Sequence, residues 1–256
     1  MKDFRINKRI VTKKLIKFIS DTTASKGFKK VILGLSGGID STVVAYLSRA
    51  ALGKENVTAV LMPYGKLSNE ASQHAVKIAK ILNIKTERVD ISHMIDAYFK
   101  KTKTPDKTRR GNKMARERMS ILYDLSEKYN SLVIGTSNRT EILLGYGTIH
   151  GDCACAINPI GNLYKTQLKD VAKYLDVSSY VLNKPPSANL WHGQTDEDEL
   201  GYTYEEIDRL LFFMLDKRLT SNELAQKGFS REFIQNIRQR IKKNKFKSQL
   251  PVIAKF

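Results

Sequence analysis

A short apolar run, Val31-Ile32-Leu33-Gly34-Leu35, passes into Ser36-Gly37-Gly38-Ile39-Asp40-Ser41 and then into the helix-like Thr42-Val43-Val44-Ala45-Tyr46-Leu47. This junction constrains the fold most, because a strand feeding a helix through a tight turn of small residues is the unit of a parallel α/β sheet. It also aims free backbone N–H groups and the positive end of a helix dipole at one point, which suits an anion. Glycines allow close backbone approach and a positive φ, and serine hydroxyls add donors. Asp40 is the odd member. A carboxylate beside a phosphate cradle is repulsive unless a cation lies between them, so the pattern implies Mg²⁺. The spacing is neither that of a Walker A loop nor that of the dinucleotide fingerprint.

Further strands are expected at 57–62, 85–91 and 132–135, alternating with helices at 68–82 and 112–129. Alternation at these lengths predicts an α/β fold with a doubly wound, Rossmann-like parallel sheet covered on both faces. Ligands then bind at the carboxyl ends of the strands, where Gly34 and Gly135 fall. Beyond Pro159 the pattern turns helical, at 167–175, 204–215 and 231–243, giving a core over 28–175 and a C-terminal lid and helices over 176–256.

At 256 residues and 41% hydrophobic content the chain can bury one such domain with its helical extension. It has no run of about 18 apolar residues and no apolar signal at Met1-Lys2-Asp3-Phe4-Arg5, so no membrane partner and a cytoplasmic location are expected. Cys153 and Cys155 are spaced for neither a disulfide nor a zinc site, and small buried side chains are expected. The formal charge of +18 admits a nucleic-acid partner. However, the lysines are dispersed and their denser clusters lack interleaved stacking aromatics, so a solvated basic surface is the expectation.

Gly135-Thr136-Ser137-Asn138-Arg139-Thr140-Glu141 leaves the last expected strand and enters a helix, repeating the geometry of the first junction. Glu141 can there reach the same Mg²⁺ as Asp40, or can simply satisfy a helix dipole. Arg116 and Arg118 point in widely different directions on one helix, so one is expected to bind an anionic substrate and the other to brace the fold. Lys165, just before a helix, offers a mobile charge to a polyphosphate. Ser187 is presented by the stiff Lys184-Pro185-Pro186. The acidic run 194–201 reads either as a solvated helix start or as part of a lid over a nucleotide.

Ser-Gly-Gly-x-Asp-Ser is similar to the pyrophosphate loop of the ATP pyrophosphatases. Taken in order with Ala115-Arg116-Glu117-Arg118-Met119, Val133-Ile134-Gly135-Thr136-Ser137-Asn138, Asn158-Pro159-Ile160-Gly161, Leu163-Tyr164-Lys165-Thr166, Lys184-Pro185-Pro186-Ser187-Ala188 and Gly193-Gln194-Thr195-Asp196-Glu197, it resembles the ammonia-dependent NAD⁺ synthetases over most of the chain. The resemblance implies ATP contacts from Gly34, Leu35, Ser36, Gly37, Gly38, Ile39, Asp40, Ser41, Thr136, Lys165 and Ser187, with Mg²⁺ on Asp40 and Glu141. It implies deamido-NAD⁺ contacts from Arg116, Asp152 and Lys247, and catalytic roles for Asp152 and Lys165. The substrates implied are ATP, deamido-NAD⁺ and ammonia, joined through an acyl adenylate.

Where many relatives carry a lysine, an acid and a histidine, this chain has Ile149, Ala156 and Phe246, all on the dinucleotide side. Glutamine-dependent members carry an amidase domain with a cysteine nucleophile. Only about 30 residues precede the phosphate loop here, so a single synthetase domain using free ammonia is expected. A homodimer is implied as well, in keeping with apolar helical faces that need a partner. The alternative on the same fold is a tRNA-modifying ATP pyrophosphatase that adenylates an RNA base; it is favoured by the charge but asks for an RNA-binding extension or sulfur-handling cysteines. Segments 100–111 and 183–200 are expected to be mobile without ligand.

Overall fold

Alternation along β1 (Lys30–Gly34) requires a sheet covered on both faces: Val31 and Leu33 pack on one side and Ile32 on the other, all fully buried. The computed structural model describes residues 4–65, 69–102, 106–187 and 193–254. In it β2 (Val57–Leu61), β3 (Lys85–Arg88) and β4 (Ser131–Val133) join β1 in the order β3-β2-β1-β4, every pair parallel. β2 is buried throughout, as a strand with helices on both faces must be. β3 lies at the edge, and Lys85, Glu87 and Arg88 blunt it against further pairing.

Helices α1 (Lys8–Ser25), α2 (Ile39–Leu52) and α3 (Asn69–Leu82) cover one face through Ile19, Val43, Leu47 and Ile78. Helices α4 (Ser92–Phe99) and α5 (Lys107–Lys128) cover the other through Ile95, Phe99 and Met114. After β4 come α6 (Arg139–Leu144) and α7 (Lys165–Tyr174), which returns Leu168 and Val171 to the first face. Short helices α8 (Ser179–Leu182) and α9 (Asp196–Leu200) follow. The remaining chain forms its own apolar cluster: α10 (Tyr204–Leu211), a π-helical turn (Phe212–Asp216), α11 (Ser221–Gln226) and α12 (Arg231–Asn244) pack Ile207, Leu210, Leu224 and Ile234 against Leu144 and Tyr164.

The doubly wound parallel sheet and the C-terminal helices are as expected, and the differences are local. α5 begins at Lys107 because the Asp106 carboxylate accepts from Arg109 N at 2.7 Å, so part of the stretch expected to be mobile is helix. Residues 103–105 and 188–192, parts of the two expected mobile segments, lie outside the described residues. The last strand is shorter than expected. Beyond Val133, Ile134 bridges Ile157 in parallel and Gly135 N donates to Ile157 O at 2.7 Å. Among the described residues no helix is long and apolar enough to cross a membrane.

Candidate active site

From β1 the chain winds outward to β2 and β3, while β4 pairs on the other flank, so the loops after β1 and β4 part at a topological switch point. A cavity of about 520 Å³ opens there. Its floor is the first junction. Gly37 takes φ +76°, and Gly38 caps α2 without a side-chain bond, which leaves the first N–H groups of the helix to face the cavity. Ser36 and Ser41 hydroxyls lie 3.0 Å apart, and Thr42 Oγ1 donates to Gly38 O at 2.7 Å, fixing the turn. Gly34, Leu35, Ser36, Gly38, Ile39, Asp40 and Ser41 line the cavity, whereas Gly37 is buried and shapes the turn.

The second junction closes on itself. Asn138 Oδ1 accepts from Glu141 N at 3.0 Å while Glu141 Oε2 accepts from Asn138 N at 3.1 Å, a reciprocal cap on α6. The buried Asn138 amide then donates to Asp40 Oδ1 at 2.8 Å and ties the two junctions together. Glycine is needed at 135, since a Cβ there would stand 2.5 Å from Cys155 Sγ.

Lys165, the first residue of α7, reaches both carboxylates: Nζ lies 2.6 Å from Asp40 Oδ2 and 3.2 Å from Glu141 Oε1. Burial opposes the lysine's charge, yet Asp40 and Glu141 together hold its pKa above that of an ordinary lysine. Burial raises the Glu141 carboxyl above the usual range, with Lys165 pulling it back. Asp196 completes the surroundings, accepting from Tyr146 and Tyr204 hydroxyls at 3.0 Å each, and the Tyr204 ring lies 5.2 Å from Lys165 Nζ. Two carboxylates converging on one cation beside an anion cradle fit a divalent ion that takes its other ligands from phosphate and water. Among the described residues no group of three or more His, Cys, Asp or Glu forms an all-protein metal site.

Thr136, Ser187, Asp152 and Lys247 line the same cavity. Lys247 Nζ donates to Gly145 O at 2.8 Å and Gly147 O at 3.1 Å, and Asp152 Oδ1 accepts from Thr148 N at 2.8 Å. Surrounding protein raises the Asp152 pKa although solvent reaches the residue. Arg116 and Arg118 do diverge. Arg118 lines the cavity, its Nε donates to Met62 O at 3.1 Å, and desolvation lowers its pKa to about 10. Arg116 is exposed outside the lining, its Nε on Ile149 O at 3.2 Å. The cysteines are not the buried side chains expected: Cys153 is exposed and Cys155 half-buried, both crowding glycines, Gly147 and Gly135, that leave them room. Asn138 is a further functional residue, whose signal in the sequence is the Asn-x-x-Glu pattern of a helix cap. Asp196 stood out only through its acidic run and its place in the matching segment Gly193-Gln194-Thr195-Asp196-Glu197, neither of which gives it a role.

A crevice of this kind, at a switch point and beside an open helix N-terminus, is suited to a phosphate-bearing ligand. The sequence pattern of the family described as NAD synthase matches residues 11–251, and the chain belongs to that family. It is 48% identical over 255 residues to the NH(3)-dependent NAD(+) synthetase of Fusobacterium nucleatum, covering 100% of this chain and 99% of that one. A solved NMN synthetase from Francisella tularensis is similar with TM-score 0.87 at 34% identity, over 98% of this chain and 100% of the other. An NH3-dependent NAD synthetase from Campylobacter jejuni gives TM-score 0.83 at 37% identity, with the same coverage of 98% and 100%.

Proposed function

We propose that the chain is a carbon–nitrogen ligase that amidates deamido-NAD⁺ with ammonia at the expense of ATP, yielding NAD⁺, AMP and pyrophosphate. The observation that carries this reading is the meeting of Asp40, Glu141 and Lys165 beside the open N-terminus of α2, in a chain of the NAD synthase family. The tRNA-modifying alternative is not favoured by these relatives.

The turn at Gly34–Ser41 holds ATP phosphates through backbone N–H groups and serine hydroxyls, with Thr136 and Ser187 adding contacts to the nucleotide. Asp152 and Lys247 in the cavity hold deamido-NAD⁺, with the exposed Arg116 contacting it from outside the cavity lining. Its nicotinate carboxylate attacks the α-phosphorus, the bond to the bridging oxygen of the β-phosphate breaks, and Lys165 neutralises the departing pyrophosphate. Ammonia then attacks the acyl adenylate, AMP leaves, and Asp152 takes the surplus proton. Asp40 and Glu141 would hold Mg²⁺, which would supply further charge neutralisation on the phosphates when bound. Positioning and charge stabilisation supply the rate, without a covalent enzyme intermediate. We also propose a cytoplasmic homodimer, which light scattering at micromolar concentration checks.

The test is incubation with ATP, Mg²⁺, ammonium and deamido-NAD⁺, with NAD⁺, AMP and pyrophosphate assayed separately. Equal amounts of all three are expected, and NAD⁺ synthesis supported by glutamine alone would overturn the ammonia assignment. A second reading is amidation of nicotinate mononucleotide, favoured by the likeness to an NMN synthetase and by the uncharged Ile149, Ala156 and Phe246. A larger kcat/KM for the mononucleotide in the same assay would select it.

A further inference from the structure

α10 carries a carboxylate on its apolar face. Asp208 lies beside Ile207, Leu210 and Leu211, all with no solvent exposure, and has none itself. Both its oxygens accept: Oδ1 from Thr140 Oγ1 at 2.5 Å, and Oδ2 from Thr166 N at 2.8 Å and Thr166 Oγ1 at 2.7 Å. Thr140 Oγ1 in turn accepts from Lys165 N at 3.0 Å. Thr140 precedes Glu141 on α6, and Thr166 follows Lys165 on α7. One carboxylate thus grips the first turns of the two helices whose adjacent residues meet 3.2 Å apart in the site. An apolar residue at 208 would pack α10 without the cost of desolvating a charge, so the core alone does not account for an aspartate. The π-helical turn adds a second brace across the same helix starts, where Asp216 accepts from Arg139 and, at 3.1 Å, from Tyr164 OH.

We propose that Asp208 is a positioning residue that sets the spacing of Glu141 and Lys165 and thereby the geometry of phosphate and metal binding. The proposal rests on the roles given to those two residues above. It touches no reacting atom and acts through Thr140 and Thr166. Misplacing such charges by roughly 1 Å is enough to cost on the order of a hundredfold in rate.

The test is steady-state kinetics of the full chain with ATP, Mg²⁺, ammonium and deamido-NAD⁺. Asp208→Asn keeps the shape but cannot accept at both positions. It should lower kcat on the order of a hundredfold and raise the Mg²⁺ concentration for half-maximal rate, with KM for deamido-NAD⁺ unchanged. Thr166→Val should follow the same pattern more weakly, and Thr166→Ser, which keeps the hydroxyl, should restore the rate. A lower melting temperature with wild-type kcat and Mg²⁺ requirement would mean a merely structural role and overturn the proposal. If Asp208→Asn does not fold, the Thr166 pair decides: equal Mg²⁺ requirements for Val and Ser overturn it. A wild-type protein that makes no NAD⁺ refutes the functional reading instead. Calorimetric binding of Mg²⁺ and ATP to the same variants then decides the role of Asp208.

Discussion

The two strand-to-helix junctions that flank the crevice share a geometry and differ in how their helix starts are satisfied. α2 begins at a glycine with no side-chain cap, so no side chain of the cap satisfies its first N–H groups. α6 begins at Asn138 and closes its own cap through Glu141. The same strand-to-helix step thus leaves open N–H groups in one place and holds a carboxylate in the other, and the difference lies in which residue precedes the helix. Lys165 and Asn138 then couple the two through Asp40.

The largest expected effect comes from removing the charge that both junctions share. Lys165→Met leaves Asp40 and Glu141 crowded without their cation. Turnover should fall by at least about 10²–10³-fold, and the ligand-free protein should lose roughly 3–5 kcal/mol. Part of that stability should return on adding Mg²⁺, visible as a rise in melting temperature larger than in wild type. A variant with near-normal turnover removes Lys165 from the mechanism.

Glu141→Gln sharpens the comparison from the other side, because glutamine can still cap α6 while the charge is gone. The apparent Mg²⁺ requirement should rise roughly ten- to a hundredfold with little change in melting. Burial raises the Glu141 pKa above its ordinary 4.5, so the proton favours the folded, metal-free state. That contribution is complete below 4.5 and is lost as pH rises through the raised value. Acid therefore competes with Mg²⁺: in wild type the half-saturating Mg²⁺ concentration should climb as pH falls through this range, and in Glu141→Gln it should stay flatter. Equal slopes in both would leave Glu141 a helix cap and nothing more.

Gly37→Ala tests the open junction alone. Forcing an L side chain to φ +76° costs about 1–2 kcal/mol, and relaxation of the turn should weaken ATP binding more than deamido-NAD⁺ binding. Titration of each substrate separates the two.

The sheet was legible because hydrophobic runs of strand length alternate with helical patterns, and the phosphate turn because small residues at a strand-to-helix step leave few alternatives. Both are local signals. Asp40, Glu141 and Lys165 could be named as candidates, but their convergence spans 125 positions of sequence and is set by the switch point, which no local pattern encodes. Asp196 and Asp208 were harder still: one lay inside an acidic run, and the other reads as one polar interruption in an apolar helix face. Arg116 and Arg118 show the converse limit, since spacing foretold their divergence without saying which faces the cavity. α5 starts earlier than its composition suggests because a single capping carboxylate, Asp106, outweighs the polar residues around it.

The smallest expected effect separates the cap of α6 from its tie to Asp40. Asn138→Ser retains an oxygen that can accept from Glu141 N, so the helix start should keep its stability to within about 0.5 kcal/mol. The serine side chain is shorter, and the 2.8 Å bond from the Asn138 amide to Asp40 Oδ1 is lost. Asn138→Ala loses both and should cost about 1 kcal/mol more in chemical denaturation. If the tie matters to the site, the two variants share a modest loss of kcat, several-fold, despite their different stabilities. If activity instead tracks stability, with serine near wild type and alanine impaired, then Asn138 serves α6 alone. The two junctions would then be coupled only through Lys165.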